Sequence, residues 1–127
     1  METVYLDTHV VLWLAMSGSE KLSLNATETI ERAAQLYLSP MVLLELQYLF
    51  EIKRSSALAT DIVEHLSTAI DLRVCTHSWL RVTQQALRVS WTRDPFDRLI
   101  TAHAALNSAV LITRDANIRA HYARALW

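Results

Sequence analysis

Glycine is almost absent from this 127-residue chain, with Gly18 the only one. That single glycine excludes P-loops, dinucleotide fingerprints and every other Gly-rich phosphate cradle. Cysteine is as scarce. Cys75 stands alone, which excludes an internal disulfide and a multi-thiolate metal site and is expected of a reducing, cytoplasmic setting. The two prolines, Pro40 and Pro95, mark no linker, and neither repeats nor low-complexity tracts divide the chain. One domain over residues 1–127 is therefore expected, with a radius of gyration of roughly 14 Å. No apolar run approaches the roughly 18 residues that span a bilayer, and no secretory leader pattern opens the chain. A membrane or secreted protein is thus not expected. Hydrophobic residues make up 52% and charged residues only 20%, a balance that excludes a disordered polymer.

Lysine is also rare. Ten of the twelve basic residues are arginine, the planar fork that grips phosphates and carboxylates. The formal net charge of −1 hides an asymmetry. Residues 1–71 carry 4 Lys+Arg against 10 Asp+Glu, whereas residues 72–127 carry 8 Arg against 3 Asp. Two readings stand: a basic face for a nucleic acid or acidic protein, or charges that folding interleaves into a mixed surface.

Short apolar runs alternate with helical patterns. Val4–Leu6 reads as a strand, followed by a helix from about Thr8 to Met16. Ser23 or Asn25 can cap a helix to Ala34, and Leu36–Leu38 is a second strand. Ser39-Pro40 supplies an N-cap and a first-turn proline for a helix to about Lys53. Further helices are expected over Ala57–Ser67 and Ser78–Leu87, with Leu72–Cys75 a strand between them. Asp94-Pro95 repeats the cap-plus-proline start for a helix to Asn107. Ala109–Ile112 is the fourth strand, and Asn117–Ala125 reads as a last helix. The alternation predicts a three-layer α/β/α sandwich around a parallel sheet of four to five short strands. In such sheets the functional crevice lies outside the carboxyl ends of the strands.

Asp7 ends the first strand and Asp115 follows the fourth, so both fall on that rim. Each alone is also an ordinary turn or cap residue. Glu45 lies in the apolar run Met41–Phe50, inside the stripe formed by Met41, Leu44, Tyr48 and Ile52. A buried position is therefore expected for it, requiring a proton, an ion pair or a nearby metal. Asp94 is an N-cap in its own right. Asp97, in the first turn of the same helix, either answers the helix dipole or points along the core edge toward the rim.

Asp7, Glu45, Asp97 and Asp115 in one pocket could not all ionise uncompensated. Oxygen ligands without thiolates select hard cations, Mg²⁺ or Mn²⁺, which suit phosphodiester hydrolysis. Arg93, Arg98 and Arg114 flank the acids and are candidates for substrate phosphates, or else neutralise the acidic rim. Thr113 and Ser39 are candidates for orienting a carboxylate or water, or are simple caps. His9, His65, His77, His103 and His121 lack zinc-motif spacing, and His103 falls on an apolar face that suits a satisfied core histidine. The four tryptophans read chiefly as packing, although an exposed one could stack on a base.

These residues resemble the PIN-domain family, in particular the VapC-type toxins of bacterial toxin–antitoxin pairs. The likeness rests on Leu6-Asp7-Thr8-His9-Val10-Val11-Leu12-Trp13, on Glu45 followed by Ile52-Lys53, and on Asp94-Pro95-Phe96-Asp97-Arg98-Leu99-Ile100. It continues in Leu111-Ile112-Thr113-Arg114-Asp115 and the closing Leu126-Trp127, and so covers nearly the whole chain. The resemblance implies a Mg²⁺-dependent endoribonuclease, usually a homodimer, acting on an RNA such as tRNA or rRNA and silenced by a VapB-type antitoxin. It assigns the acidic quartet to Asp7, Glu45, Asp97 and Asp115, with metal contacts chiefly at Asp7 and Asp97 and Asp94 as an additional acid. Two positions depart from the family pattern: Leu44 replaces a frequent Trp before the helix Glu, and Thr92 a frequent His before Arg93. Neither belongs to the quartet. A catalytically silent module that binds RNA or protein is the rival reading, against which the intact quartet argues. A phosphoryl-accepting receiver domain would need a lysine at a late strand end, and no lysine follows Lys53.

Overall fold

The computed structural model describes residues 2–127. Twelve elements follow in order: β1 (Thr3–Leu6), α1 (Thr8–Ser17), α2 (Leu24–Arg32), β2 (Gln35–Leu38), α3 (Pro40–Glu51), α4 (Ala59–Ile70), β3 (Leu72–Val74), α5 (Trp79–Ala86), α6 (Pro95–Leu106), β4 (Val110–Ile112), α7 (Ala116–His121) and β5 (Ala125–Leu126). The sheet is wholly parallel in the order β3-β2-β1-β4-β5. Seven helices flank this sheet, which is the three-layer sandwich the alternation predicts. Helices pack accordingly: α4 against α1 and α3, and α5 against α6.

The strands are short, but their apolar character is nearly continuous because both faces are covered. Val4, Tyr5, Leu6, Leu38, Leu111 and Ile112 are buried and form the centre of the core. The chain leaves β1 toward β2 on one side, while β4 continues to β5 on the other. The junction between β1 and β4 is therefore the switch point of the sheet, where the loops diverge and open a crevice.

Side chains start most of the helices. Ser23 accepts from the Ala26 amide, Ser39 from Met41, and Asp7, Asp94 and Asp115 cap α1, α6 and α7. Ending helices with almost no glycine is harder, because the residue after a helix commonly adopts a left-handed conformation. Lys53, Asp71 and Ser108 adopt it here, at φ 63°, 54° and 48°. After α3 the Lys53 amide bonds Phe50 O at 3.0 Å and the Arg54 amide bonds Leu49 O at 2.8 Å, a Schellman motif. Ser108 and Ala109 repeat it after α6 on Ala105 and Ala104.

Two expectations are corrected. The last helix does not reach Ala125: α7 ends at His121, and Ala125–Leu126 pairs with β4 as a fifth strand. Helical propensity in the tail yields to the open edge of β4, where the Leu111 and Thr113 amides bond Arg124 O and Leu126 O at 3.0 Å. The other correction concerns α3. Its core face is Val42, Leu46 and Leu49, whereas Leu44, Tyr48 and Ile52 are 57%, 49% and 44% exposed. Glu45 is consequently half-buried beside that stripe rather than enclosed by it. A helix apolar nearly all round does not reveal which side faces inward. No helix among the described residues is long and apolar enough to cross a membrane.

Candidate active site

A cavity of about 490 Å³ opens at the switch point, walled by Asp7, Glu45, Asp94, Asp97 and Asp115 together with His9, Val10, Trp13 and Arg114. All five acids singled out in the sequence meet there. They arrive from three helix-capping loop positions, the first turn of α6 and the middle of α3, spread over more than a hundred residues of chain.

Each carboxylate has its own means of support. The Asp7 backbone continues the β1–β4 ladder through its amide to Ile112 O at 3.0 Å. Asp7 Oδ1 accepts from the Thr8 amide at 2.8 Å, and Oδ2 accepts from the Thr113 hydroxyl at 2.6 Å. Thr113 Oγ1 in turn accepts from the Asp115 amide at 3.0 Å, linking the ends of both strands. Glu45 accepts a short hydrogen bond from the Thr8 hydroxyl, which ties α3 to the start of α1. Asp94 Oδ1 accepts from the amides of Phe96 and Asp97, and Asp115 Oδ1 from that of Ile118. Three helix N-termini thus face one cavity, and their dipoles moderate the crowding of negative charge.

That moderation is incomplete. Burial pushes the Asp7 carboxyl up from the ordinary range, opposed by its bonds from Thr113 and Thr8. Burial likewise raises Glu45, opposed by Thr8, with the Asp7 charge adding to the rise. Asp97 is pushed up to about 7, first by burial and then by the charges of Asp94, Asp7, Asp115 and Glu45. Among the described residues the ion pairs are Arg32–Glu28, Arg73–Asp71 and Arg124–Glu2, all away from this cavity. The five acids therefore face one another with no lysine or arginine paired to any of them.

An all-oxygen donor set of excess negative charge has the chemistry of a hard-cation site. Among the described residues no three ligating side chains converge on one point. That spacing still suits Mg²⁺, which keeps several waters and is usually held through one or two carboxylates.

The remaining candidates divide. Thr113 is wholly buried and holds Asp7, so its hydroxyl is a positioning group. Ser39 caps α3 and meets His103 Nδ1 at 2.8 Å, so it serves the core and not the cavity. His103 is the satisfied core histidine its position suggested, also facing Leu99 O at 3.0 Å, with burial lowering its pKa. Arg114 reaches the cavity wall, its guanidinium 5.9 Å from the Trp13 ring centre. The structure engages Arg98 and Arg93 elsewhere: Arg98 donates to Ala86 O and Leu87 O, closing the end of α5, and Arg93 donates to Ser90 O. Thr8, His9 and Trp13 join the site without having been singled out as site residues. Their signal was spacing, since Asp7 opens a helix and its first two turns must border whatever Asp7 faces.

A parallel sheet with a carboxylate-lined crevice at its switch point defines an α/β protein built around an acidic, all-oxygen site. The sequence matches the PIN domain over residues 4–123, and the chain belongs to that family. It is 32% identical to Ribonuclease VapC22 of Mycobacterium tuberculosis, an alignment covering 95% of this chain and 93% of that protein. Among solved structures it is similar to VapBC2 from Rickettsia felis bound to a DNA fragment from its promoter, at 17% identity and a TM-score of 0.65. That match covers 93% of this chain and 92% of the other. VapBC-1 from nontypeable Haemophilus influenzae matches at 15% identity and a TM-score of 0.66, over 98% and 96% of the two chains.

Proposed function

We propose that this protein is a Mg²⁺-dependent endoribonuclease of the toxin type, cleaving RNA phosphodiester bonds in the cytoplasm until a VapB-type antitoxin covers its acid pocket. The observation that carries this reading is that five carboxylates line one cavity at the switch point with no lysine or arginine paired to them among the described residues. Membership of the PIN family and the likeness to a named ribonuclease support it.

Asp7 and Asp97 would hold the cation, with Glu45 and Asp115 completing the field and Asp94 beside them. A bound Mg²⁺, or Mn²⁺ in its place, supplies Lewis-acid polarisation of the phosphoryl group and favours ionised water. Everything else belongs to the chain. Among the described residues the Asp97 carboxylate accepts no hydrogen bond, so its oxygens are free to meet a cation, whose charge would hold the group ionised. Thr113 and the Thr8 amide lock Asp7 in one rotamer, and Thr8 fixes Glu45, so donor oxygens are placed before substrate arrives. Arg114 stands at the wall where a substrate phosphate would enter. The exposed stripe of Leu44, Tyr48 and Ile52 fits a second copy of the chain, as expected of a homodimer.

The test is incubation of antitoxin-free protein with total RNA and purified tRNA, with EDTA and with Mg²⁺ restored. Cleavage that stops under EDTA and returns with Mg²⁺ is expected. Cleavage that persists under chelation would overturn the metal reading, and RNA binding without cleavage would select the silent-module alternative. Light scattering of the same sample checks the dimer.

A further inference from the structure

A second cavity, of about 320 Å³, adjoins the acid pocket and shares two walls with it, His9 and Trp13. Its chemistry is opposite. Lys21 and Arg54 line it together with Ser55, Ser56 and the apolar side chains of Leu12, Met16 and Leu49, and no carboxylate does. The two cations come from separate loops, after α1 and after α3. Neither Lys21 nor Arg54 forms an ion pair among the described residues. Arg54 is held in place from behind, since its amide closes the Schellman motif on Leu49 O at 2.8 Å. Trp13 stands where the cavities meet, braced edge-on by Trp127 at 5.9 Å between ring centres and flanked by Arg114.

We infer that this second cavity is the subsite for single-stranded RNA next to the scissile phosphate, with Trp13 stacking a base and Lys21 and Arg54 binding backbone phosphates. The inference rests on the ribonuclease reading and deepens it. A cationic, carboxylate-free groove running into a carboxylate-lined one matches a polyanion whose scissile phosphate alone needs a metal. Its other phosphates need fixed positive charge. An aromatic platform between cations is the recurring means of holding unpaired nucleotides, because every base presents a π-face whatever its sequence. Trp13, Lys21 and Arg54 touch no reacting atom, so their part is binding and alignment. Removing Lys21 and Arg54, which do not line the acid pocket, should raise KM and leave kcat near its wild-type value.

The experiment has two arms. In the first, the full chain carrying Asp97→Asn, which keeps the RNA intact, binds a fluorescent single-stranded RNA dodecamer of mixed sequence, read by anisotropy across a salt series. Adding Lys21→Ala and Arg54→Ala should weaken binding about tenfold and reduce the slope of log affinity against log salt by about 1.4, two phosphate contacts' worth for a single strand. Trp13→Leu should weaken binding about tenfold, while Trp13→Phe, which keeps an aromatic face and guards against a folding defect, should restore most of it. In the second arm the Lys21→Ala, Arg54→Ala double variant, with Asp97 intact, cleaves the same RNA, and KM should rise with kcat preserved. Unchanged affinity, salt slope and KM in a wild type that cleaves RNA would overturn the subsite and leave the nuclease reading standing. Groove variants that keep RNA constants but lose a co-purifying small protein would assign the cavity to that protein and likewise overturn the subsite. A wild type that binds the dodecamer through Lys21 and Arg54 yet never cleaves would sustain the subsite and sink the nuclease.

Discussion

Asp97 is the residue on which the site's electrostatics turn. Among the described residues its carboxylate lacks the amide and hydroxyl donors that hold Asp7, Asp94 and Asp115, so it bears the repulsion of its neighbours most directly. In the folded protein it titrates near 7, against about 4 in an unfolded chain. Above pH 7 both states are ionised and the folded one carries the full penalty. As pH falls from about 7 to about 4 the folded state binds a proton that the unfolded chain does not, so stability rises through that window and levels off below it. Metal-free protein should therefore melt higher at about pH 5.5 than at about pH 8, and Asp97→Asn should flatten the difference. Thermal melts in EDTA at both pH values check this, and a profile shared by wild type and variant would count against the crowded pocket. Asp94 is different because it caps α6 as well as repelling Asp97. With Asp97 protonated, near pH 5.5, Asp94→Ala should cost about 1 kcal/mol, the usual loss for an N-cap. At pH 8 the loss should shrink, because the variant also relieves repulsion on an ionised Asp97. Urea titrations at the two pH values separate the effects.

At the scale of elements, the site is a meeting of helix starts. Asp7, Asp94 and Asp115 each follow a strand or loop and open a helix, so the residues that cap α1, α6 and α7 also face the crevice. Structural and chemical roles are fused in these three, which is why their sequence context alone does not separate a cap from a ligand. Helix ends tell a complementary story. Lys53 terminates α3 in the left-handed region, where a side chain costs roughly 1 kcal/mol or more relative to glycine. Lys53→Gly should keep the Schellman bonds. It is expected to stabilise the protein by a few tenths to about 1 kcal/mol, once the looser unfolded chain is counted. Chemical denaturation measures it. RNA binding should hold as well, because Lys53 does not line the groove beside Trp13.

The whole molecule exists to bring the ends of β1 and β4 together with the middle of α3. Central strands buried on both faces supply the rigidity, and their neighbours leave in opposite directions, so the crevice is a consequence of strand order. A cation bound there should stabilise the fold by mass action, about 2.7 kcal/mol when present at 100 times its dissociation constant. Comparing melts in EDTA and in millimolar Mg²⁺ should show that gain for the wild type and much less for Asp7→Asn, which loses a donor oxygen. In EDTA, Asp7→Asn should melt at or above the wild type, since it removes one of several mutually repelling charges. A variant that melts far below wild type in EDTA and responds equally to Mg²⁺ would show that these carboxylates do not share a pocket.

Much of this was legible in the residues themselves. Alternating apolar runs and helix caps reflect local rules, a strand's continuous burial and a helix's need for an N-cap, so they predicted the first four strands, the first six helices and the sandwich. The strand-end rule likewise placed Asp7 and Asp115 on one rim. What local pattern did not carry was anything that depends on partners distant in the chain. The inward side of α3 was ambiguous because both sides are apolar, and only packing against α4 and α6 turned Val42 and Leu46 inward and Leu44 and Tyr48 outward. The tail read as helix because Ala and Arg favour it, and only the unpaired edge of β4 drew Ala125 and Leu126 into the sheet. The same holds for Thr8 on Glu45 and Thr113 on Asp7, hydrogen bonds between residues 37 and 106 positions apart. Sequence determined which carboxylates were available and which elements carried them. Tertiary structure decided that they face one another across a single cavity, because strand pairing and helix packing join segments whose separation along the chain leaves no local trace.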